Sequence, residues 1–440
     1  MTPSGTHCLA AAVLVCFLGV TSAIDGGSVS LDQYHNYNRL TLRLRNLTNT
    51  YPRFTYLHTI GQSVQGKELW VLVIAGHDPD KHVIGRPEAK YVGNMHGDET
   101  VGREMLLHFA DFLLLNYGQD IEVTQFLDTT RLHILVSMNP DGFEDATPRN
   151  CRSFTGGRTN SNNFDLNRNF PDYFEENPNT PQAETLAIMA WLEENQFVLS
   201  ANLHGGALVA NYAYDNTYPE NKVNKSSVYS PSPDDDIFRF LATVYSYNHR
   251  TMHILSENSC GNEGPFEDGI TNGADWYLVA GGMQDYNYMF AGCMEITLEL
   301  GCCKYPDASE LRVYWEDNRD ALMEYIKQVH RGVKGIVMTE DGTPIASADV
   351  TVVGRDVTFR TTADGEYWRI LLPGSYEVQV AKEGFKTQTK KVQVNNYVYN
   401  VLEVDFILVQ IVDDPGRAPS TAASLIAVVI ATIFGLTWII

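Results

Sequence analysis

Residues 89–117 read AKYVGNMHGDETVGREMLLHFADFLLLNY. A strand-type apolar run, AKYVGNM, passes through His96-Gly-Asp-Glu99 into EMLLHFADFLLLNY, whose apolar residues recur with the helical period. The same grammar returns downstream. RLHILVSM (131–138), FVLSANLH (197–204) and CMEITLEL (293–300) read as strands, and AETLAIMAWLEEN (183–195) and DDDIFRFLATVYSYNH (234–249) read as helices. Strands interleaved with helices predict an α/β sheet covered on both faces. Upstream, RFTYLHTIGQSVQGKELWVLVIAG (53–76) alternates apolar and polar residues around a Gly-containing turn, as an antiparallel hairpin does.

ELRVYWEDNRDALMEYIKQVH (310–330) reads as a closing helix that stops at Arg331-Gly332. From Val333 the text becomes short β runs parted by turn signals at Glu340-Asp341-Gly342, Ala363-Asp364-Gly365 and Pro373-Gly374. That pattern predicts a small all-β sandwich, so the chain of 440 residues divides into one large α/β domain and one smaller β domain.

A formal net charge of −22 argues against nucleic acid as a partner, because phosphate binding needs a basic face that releases counterions. A basic substrate suits this balance. Both ends carry processing signals. An apolar run from Leu9 to Val20 followed by small residues at Thr21 and Ala23 reads as a signal peptide, residues 1–23, although its n-region has no Lys or Arg. Ser424–Ile440 is apolar to the last residue and follows the small residues of GRAPSTAAS, the order of a glycolipid-anchor signal with its attachment site in 412–423. A transmembrane anchor is the alternative, without the usual basic cytoplasmic stop. Both readings keep the protein on the outer face of a membrane. Five cysteines remain in the mature chain, Cys151, Cys260, Cys293, Cys302 and Cys303; export favours disulfides for four and leaves one single. Asn46 and Asn224 head glycan sequons.

Two His and one Glu, His96, Glu99 and His204, form a three-ligand set of the kind that holds catalytic zinc with one position open, and both histidines fall at the carboxyl ends of strands. Loop residues of these types are also common without a metal. In Cys293–Leu300, Glu295, Thr297 and Glu299 alternate with apolar residues; a half-buried strand with its polar face in solvent accounts for this, and spacing does not choose between Glu295 and Glu299 as a general base. Asn167 and Arg168 stand together in DLNRNFP, where the planar fork of Arg suits a carboxylate.

The stretches HGDETVGRE, SMNPDGFE, DLNRNFPD, LSANLHGGALVANY, GGMQDYNY and ITLELGCCKYP, in this order, resemble the metallocarboxypeptidases of the regulatory N/E subfamily, from about residue 32 to 411. The resemblance implies a mixed-sheet carboxypeptidase domain (24–331) and a transthyretin-like β-sandwich (332–411). It implies one zinc ion on His96, Glu99 and His204, and Glu299 rather than Glu295 as general base. Asn167 and Arg168 would grip the substrate carboxylate, Arg158 polarise the scissile carbonyl and Tyr277 cap the terminal residue. Asp215 and Gln284 match a pocket for Arg or Lys. The implied disulfides are Cys151–Cys303 and Cys260–Cys302, with Cys293 single. The expected activity is release of one C-terminal Arg or Lys from peptides by a monomer that needs no proteolytic activation. Two other classes share parts of the pattern: a non-catalytic member that binds peptide ends, and a zinc amidohydrolase, which would need neither the peptide-end pocket nor the β domain.

Overall fold

A computed structural model describes residues 31–152, 156–395, 397–399 and 401–411; the signal-peptide and tail readings fall outside them. Eight strands, β1 (Thr55–Gln62), β2 (Glu68–Ile74), β3 (Glu88–Gly93), β4 (Arg131–Leu135), β5 (Phe197–His204), β6 (Leu208–Tyr212), β7 (Ile270–Asn272) and β8 (Met294–Leu300), form one sheet in the order β1-β2-β4-β3-β5-β8-β6-β7. The centre, β4-β3-β5-β8, is parallel, while β1, β2 and β6 each pair antiparallel with a neighbour. The sheet is therefore mixed.

Helices cover both faces because the central strands are apolar on both sides. On one face Tyr91, Ala201, Ile296 and Leu298 meet Met105 and Phe109 of helix Val101–Asn116, Phe238 and Leu241 of Asp235–Asn248 and Tyr325 of Leu311–Ile326. On the other, Val71, Val73, Val92 and Leu135 meet Ile188 and Trp191 of helix Ala183–Glu194 and Met283 and Tyr286 of Met283–Ala291.

The polar face of β8 does not meet solvent as its alternation suggested: all seven residues of the strand are buried. The reason is its position, with β5 and β6 as neighbours and helices above and below. Glu295 is accommodated there by an ion pair. Lys90 on β3, Ser200 on β5 and Glu295 on β8 are in direct register. Lys90 Nζ lies 2.8 Å from Glu295 Oε2 and 2.7 Å from Ser200 Oγ, Ser200 Oγ donates to Glu295 Oε2 at 2.5 Å, and Asn287 Nδ2 reaches Glu295 Oε1 at 3.2 Å. Both charged side chains are fully buried.

The C-terminal strands β9 (Val333–Thr339), β10 (Asp349–Val352), β11 (Thr358–Arg360), β12 (Glu366–Arg369), β13 (Gly374–Ala381), β14 (Gln388–Val394), β15 (Leu402–Glu403) and β16 (Phe406–Leu408) make two four-stranded sheets, β11-β10-β13-β14 and β12-β9-β15 with β16 on β9. Val337, Val350, Tyr367, Val378 and Phe406 fill the space between them. The sandwich is fixed to the larger domain by charge as well as packing. Buried Arg369 and half-buried Arg355 both reach the buried carboxylate of Asp234, and His82 bridges Glu88 at 2.7 Å and Glu366 at 2.6 Å.

Removing one partner from a buried ion pair strands the other charge, so Lys90→Met should lower the unfolding free energy in urea by about 3–5 kcal/mol. The double variant Lys90→Met/Glu295→Leu should recover most of that loss. A Lys90→Met chain as stable as the parent would show that the pair does not hold these strands.

Candidate active site

Both histidines reach one point because β3 and β5 are parallel neighbours that end at the same edge of the sheet. After β3, Asn94 takes a left-handed conformation (φ 58°), and its Nδ2 donates to the carbonyls of His96, Gly97 and Glu99 at 3.0, 3.0 and 3.3 Å. This Asn ties the loop into the turn that carries both side chains. Gly97 is required by close approach, since a Cβ there would stand 2.1 Å from the backbone of Gly142. His204 closes β5 directly opposite Glu299 on β8.

Ligand atoms of His96, Glu99 and His204 converge within 4.8 Å of one another. Glu99 lies 3.0 Å from His96 Nδ1 and 2.8 Å from His204 Nδ1, and the two Nδ1 atoms are 3.2 Å apart. The far nitrogens are occupied elsewhere: His96 Nε2 is 3.0 Å from Asp165 Oδ1, and His204 Nε2 is 2.6 Å from the Asn202 carboxamide. Partners on Nε2 fix the ring orientation and leave both Nδ1 atoms facing the centre. A buried His₂Glu donor set, braced in this way and opening on a cleft, fits zinc.

That cleft, about 230 Å³, brings together nearly all the residues expected from the sequence: His96, Glu99, Arg158, Asn167, Arg168, His204, Asp215, Tyr277 and Glu299 all line it. Gln284 does not; it stands behind the wall and donates to Asp215 Oδ1 at 3.0 Å. Glu299 Oε2 is buried with no hydrogen-bond partner among the described residues. Burial first, and then the Glu99 charge, push the Glu299 carboxyl up to about 7. Arg158 is held by Asp165 Oδ2 through Nε (3.1 Å) and Nη2 (3.0 Å), which leaves Nη1 at 3.2 Å from Glu99. Asn167 and Arg168 lie in a single helical turn, Leu166–Arg168, whose N-cap Asp165 accepts from Asn167 N at 2.9 Å.

Asp215 is buried in the lining of the cleft, where Asn211 Nδ2 also donates to its Oδ1 at 3.0 Å. The Asn211 and Gln284 carbonyl oxygens are buried without partners among the described residues. A Cβ on Gly273 would come within 1.9 Å of Asp215 Oδ1, so the absence of a side chain there keeps the carboxylate accessible. Burial pushes the Asp215 carboxyl up to about 6.

Several functional positions escaped the sequence reading. Lys304 Nζ lies 2.5 Å from Glu99 Oε1, Asp165 braces both His96 and Arg158, and Asn202 orients His204. Asp165 and Lys304 lie inside the motifs DLNRNFPD and ITLELGCCKYP, so proximity to those motifs was the available signal. The disulfides are Cys151–Cys303 and Cys260–Cys302, and Cys293 is free and buried, its thiol pushed up to about 12 by burial.

Residues 41–321 match the zinc carboxypeptidase family model and residues 332–408 the carboxypeptidase regulatory-like domain. The chain belongs to the zinc carboxypeptidase family. It is 49% identical to carboxypeptidase M of Mus musculus over 380 residues, covering 86% of this chain and 84% of that one. With the carboxypeptidase N catalytic chain of Homo sapiens it is 42% identical over 386 residues, covering 82% and 83%. It is 44% identical over 381 residues to carboxypeptidase D of Homo sapiens, 86% of this chain but only 27% of that longer protein. Among solved structures, thrombin activatable fibrinolysis inhibitor shares the fold with a TM-score of 0.53 at 18% identity, over 69% of this chain and 76% of that one.

Because Asn202 orients one histidine without touching the central point, Asn202→Ala should weaken zinc binding about 10–100-fold in a chelator competition. Unchanged affinity would exclude that role.

Proposed function

We propose that this chain is a zinc-dependent carboxypeptidase that hydrolyses the last peptide bond of extracellular peptides and proteins and releases a single C-terminal Arg or Lys. The observation that carries the specificity is the Asp215 end of the cleft, where a buried carboxylate and the orphaned Asn211 oxygen face a space that Gly273 leaves open. A guanidinium or ammonium group brings both the charge and the donors these acceptors lack. An uncharged side chain would leave them unpaired.

His96, Glu99 and His204 would hold the metal, and what bound zinc supplies is Lewis acidity toward water and carbonyl. Asn167 and Arg168 bind the terminal carboxylate, with Tyr277, itself 41% exposed, closing over the terminal residue. Arg158, anchored by Asp165, is directed at the scissile carbonyl and stabilises the charge that develops on its oxygen. The unpartnered Glu299 oxygen accepts a proton from the attacking water and returns it to the leaving amine. The large domain, 24–331, carries this chemistry, and 332–411 forms the appended sandwich. Residues 1–23 direct export, and 412–440 hold the protein at the cell surface by a lipid anchor in 412–423 or a membrane-embedded tail. Asn46 and Asn224 are exposed, as glycan attachment requires.

Glu299→Gln should keep zinc affinity and lose at least about 10²-fold in kcat. Near-normal turnover would remove Glu299 from the mechanism. On matched blocked dipeptides ending in Arg, Lys, Leu or Glu, chelator-sensitive release should be confined to Arg and Lys. Asp215→Asn should lower kcat/KM for both by about 10²-fold, since it removes one partner of a buried charge pair. Release of Leu by the parent protein would keep the metal chemistry and overturn the pocket.

A further inference from the structure

Outside the catalytic cleft, one other group of metal-ligating side chains converges among the described residues. A ring nitrogen of His82 and carboxylate oxygens of Asp364 and Glu366 all lie within 4.8 Å of one another, as close as in the His96, Glu99 and His204 set. The two halves of this group come from different domains. His82 belongs to the loop that precedes β3, and Asp364 and Glu366 flank Gly365 where β12 begins.

Each half is held in place. Arg86 donates to the carbonyls of Asp78 and Lys81 at 2.9 and 3.1 Å and so ties down the loop that carries His82. On the sandwich side, Thr362 N donates to Glu366 O at 2.9 Å and Glu366 N to Thr362 Oγ1 at 3.0 Å. Gly365 is left-handed (φ 75°), and a Cβ there would stand 2.4 Å from Val337 O, so this tight turn requires glycine. The donors are braced one by one as well. His82 Nδ1 lies 2.7 Å from Glu88 Oε1, and Glu88 is itself held by Arg131 at 3.0 Å and His133 at 2.9 Å. That leaves His82 Nε2 directed at Glu366 Oε2, 2.6 Å away, while Glu366 Oε1 accepts from Gly85 N at 2.5 Å. An imidazole with one nitrogen on a carboxylate and the other facing further carboxylates is oriented as metal-ligating histidines are.

Charge points the same way. Arg131 compensates Glu88, but among the described residues Glu366 has only His82 as a cationic partner and Asp364 forms no ion pair. A proton on His82 balances one of these two carboxylates, whereas a divalent cation balances both. The group is also reachable, since His82 and Asp364 line an open cleft of about 870 Å³ between the domains. The His82 side chain is 34% exposed, so its ring is free to make room for an ion about 2.0–2.2 Å from each donor. We propose that His82, Asp364 and Glu366 form a second metal site, which takes a borderline divalent cation such as zinc, completes its coordination with water, and joins the sandwich to the large domain. One imidazole nitrogen with two carboxylates suits zinc better than calcium or magnesium, which take oxygen ligands.

The test uses the complete protein with its first zinc in place, dialysed against zinc at neutral pH, with bound metal counted by mass spectrometry. The parent should hold two zinc ions per chain, the second leaving first when a mild chelator is added. Asp364→Asn changes an exposed side chain that makes no ion pair, and Glu366→Gln keeps the acceptor for Gly85 N. Both should retain the first ion, which shows that they are folded, and weaken the second at least about tenfold. Zinc at about 100-fold above the second dissociation constant should raise the thermal midpoint of the parent and leave that of Asp364→Asn unmoved. A second ion held equally by the parent and both variants is an adventitious surface ion only and overturns the inference. One ion per chain in all three proteins also overturns it and leaves His82 as an ion pair between domains. Neither result touches the first ion, so the carboxypeptidase reading stands in both cases.

Discussion

The ion pair between Lys90 and Glu295, with Ser200 between them, is the constraint on which the rest of the molecule turns. Each residue sits in one of the three adjacent strands, β3, β5 and β8, at or just beyond whose carboxyl ends stand His96 and Glu99, His204, and Glu299. Side chains alternate along a strand, so a one-residue slip would rotate Glu299 out of the cleft and into the apolar layer that holds Ile296 and Leu298. Apolar packing alone discriminates poorly between registers in strands buried on both faces. A buried charge that must meet its partner does discriminate, since the misregistered state leaves both ions without compensation.

Charge is distributed in the cleft by task. Glu99 is ringed by nitrogen groups, with His96, His204, Arg158 and Lys304 all within 3.2 Å, and its carboxyl is held well below the usual carboxylate range despite its burial. Glu299, on the neighbouring strand, is left with an unpartnered oxygen and a carboxyl pushed the other way. Two glutamates of one cleft thus receive opposite environments, one suited to holding a cation and the other to exchanging a proton. Asp215 is a third case, buried like Glu299 but supplied with neutral amide neighbours, so its negative charge remains available to a ligand.

Much of this was legible in the sequence, and the limits have physical causes. The strand–helix alternation gave the layered sheet because burial on two faces imposes an apolar run, and the β-rich C-terminus announced itself by turn chemistry. Asn167 and Arg168 stood out locally through the fork of Arg, but Arg158 and Asp215 became visible as candidates only through the order of whole motifs, since no local pattern distinguishes a functional Arg from a surface one. The polar face of β8 was misread because alternation signals two unlike faces and does not say what covers them; here it is a lysine from another strand. Asn202 and Lys304 were missed for a related reason, as bracing groups have no spacing rule of their own. Gln284 fell in the right neighbourhood but one layer behind the cleft wall.

The burial of Cys293 also determines how this protein wears out. Both staples meet at the neighbouring Cys302 and Cys303, and together they secure the loops of Cys151 and Cys260. A fifth cysteine able to attack either bridge would set off exchange and permute the pairing, but exchange needs an accessible thiolate, and this thiol is neither accessible nor ionised. The guard lasts only as long as the fold does. Once the sheet opens, the same sulfur becomes a nucleophile among four bonded partners, so thermal inactivation becomes chemical as well as conformational and cooling alone does not restore the original connectivity.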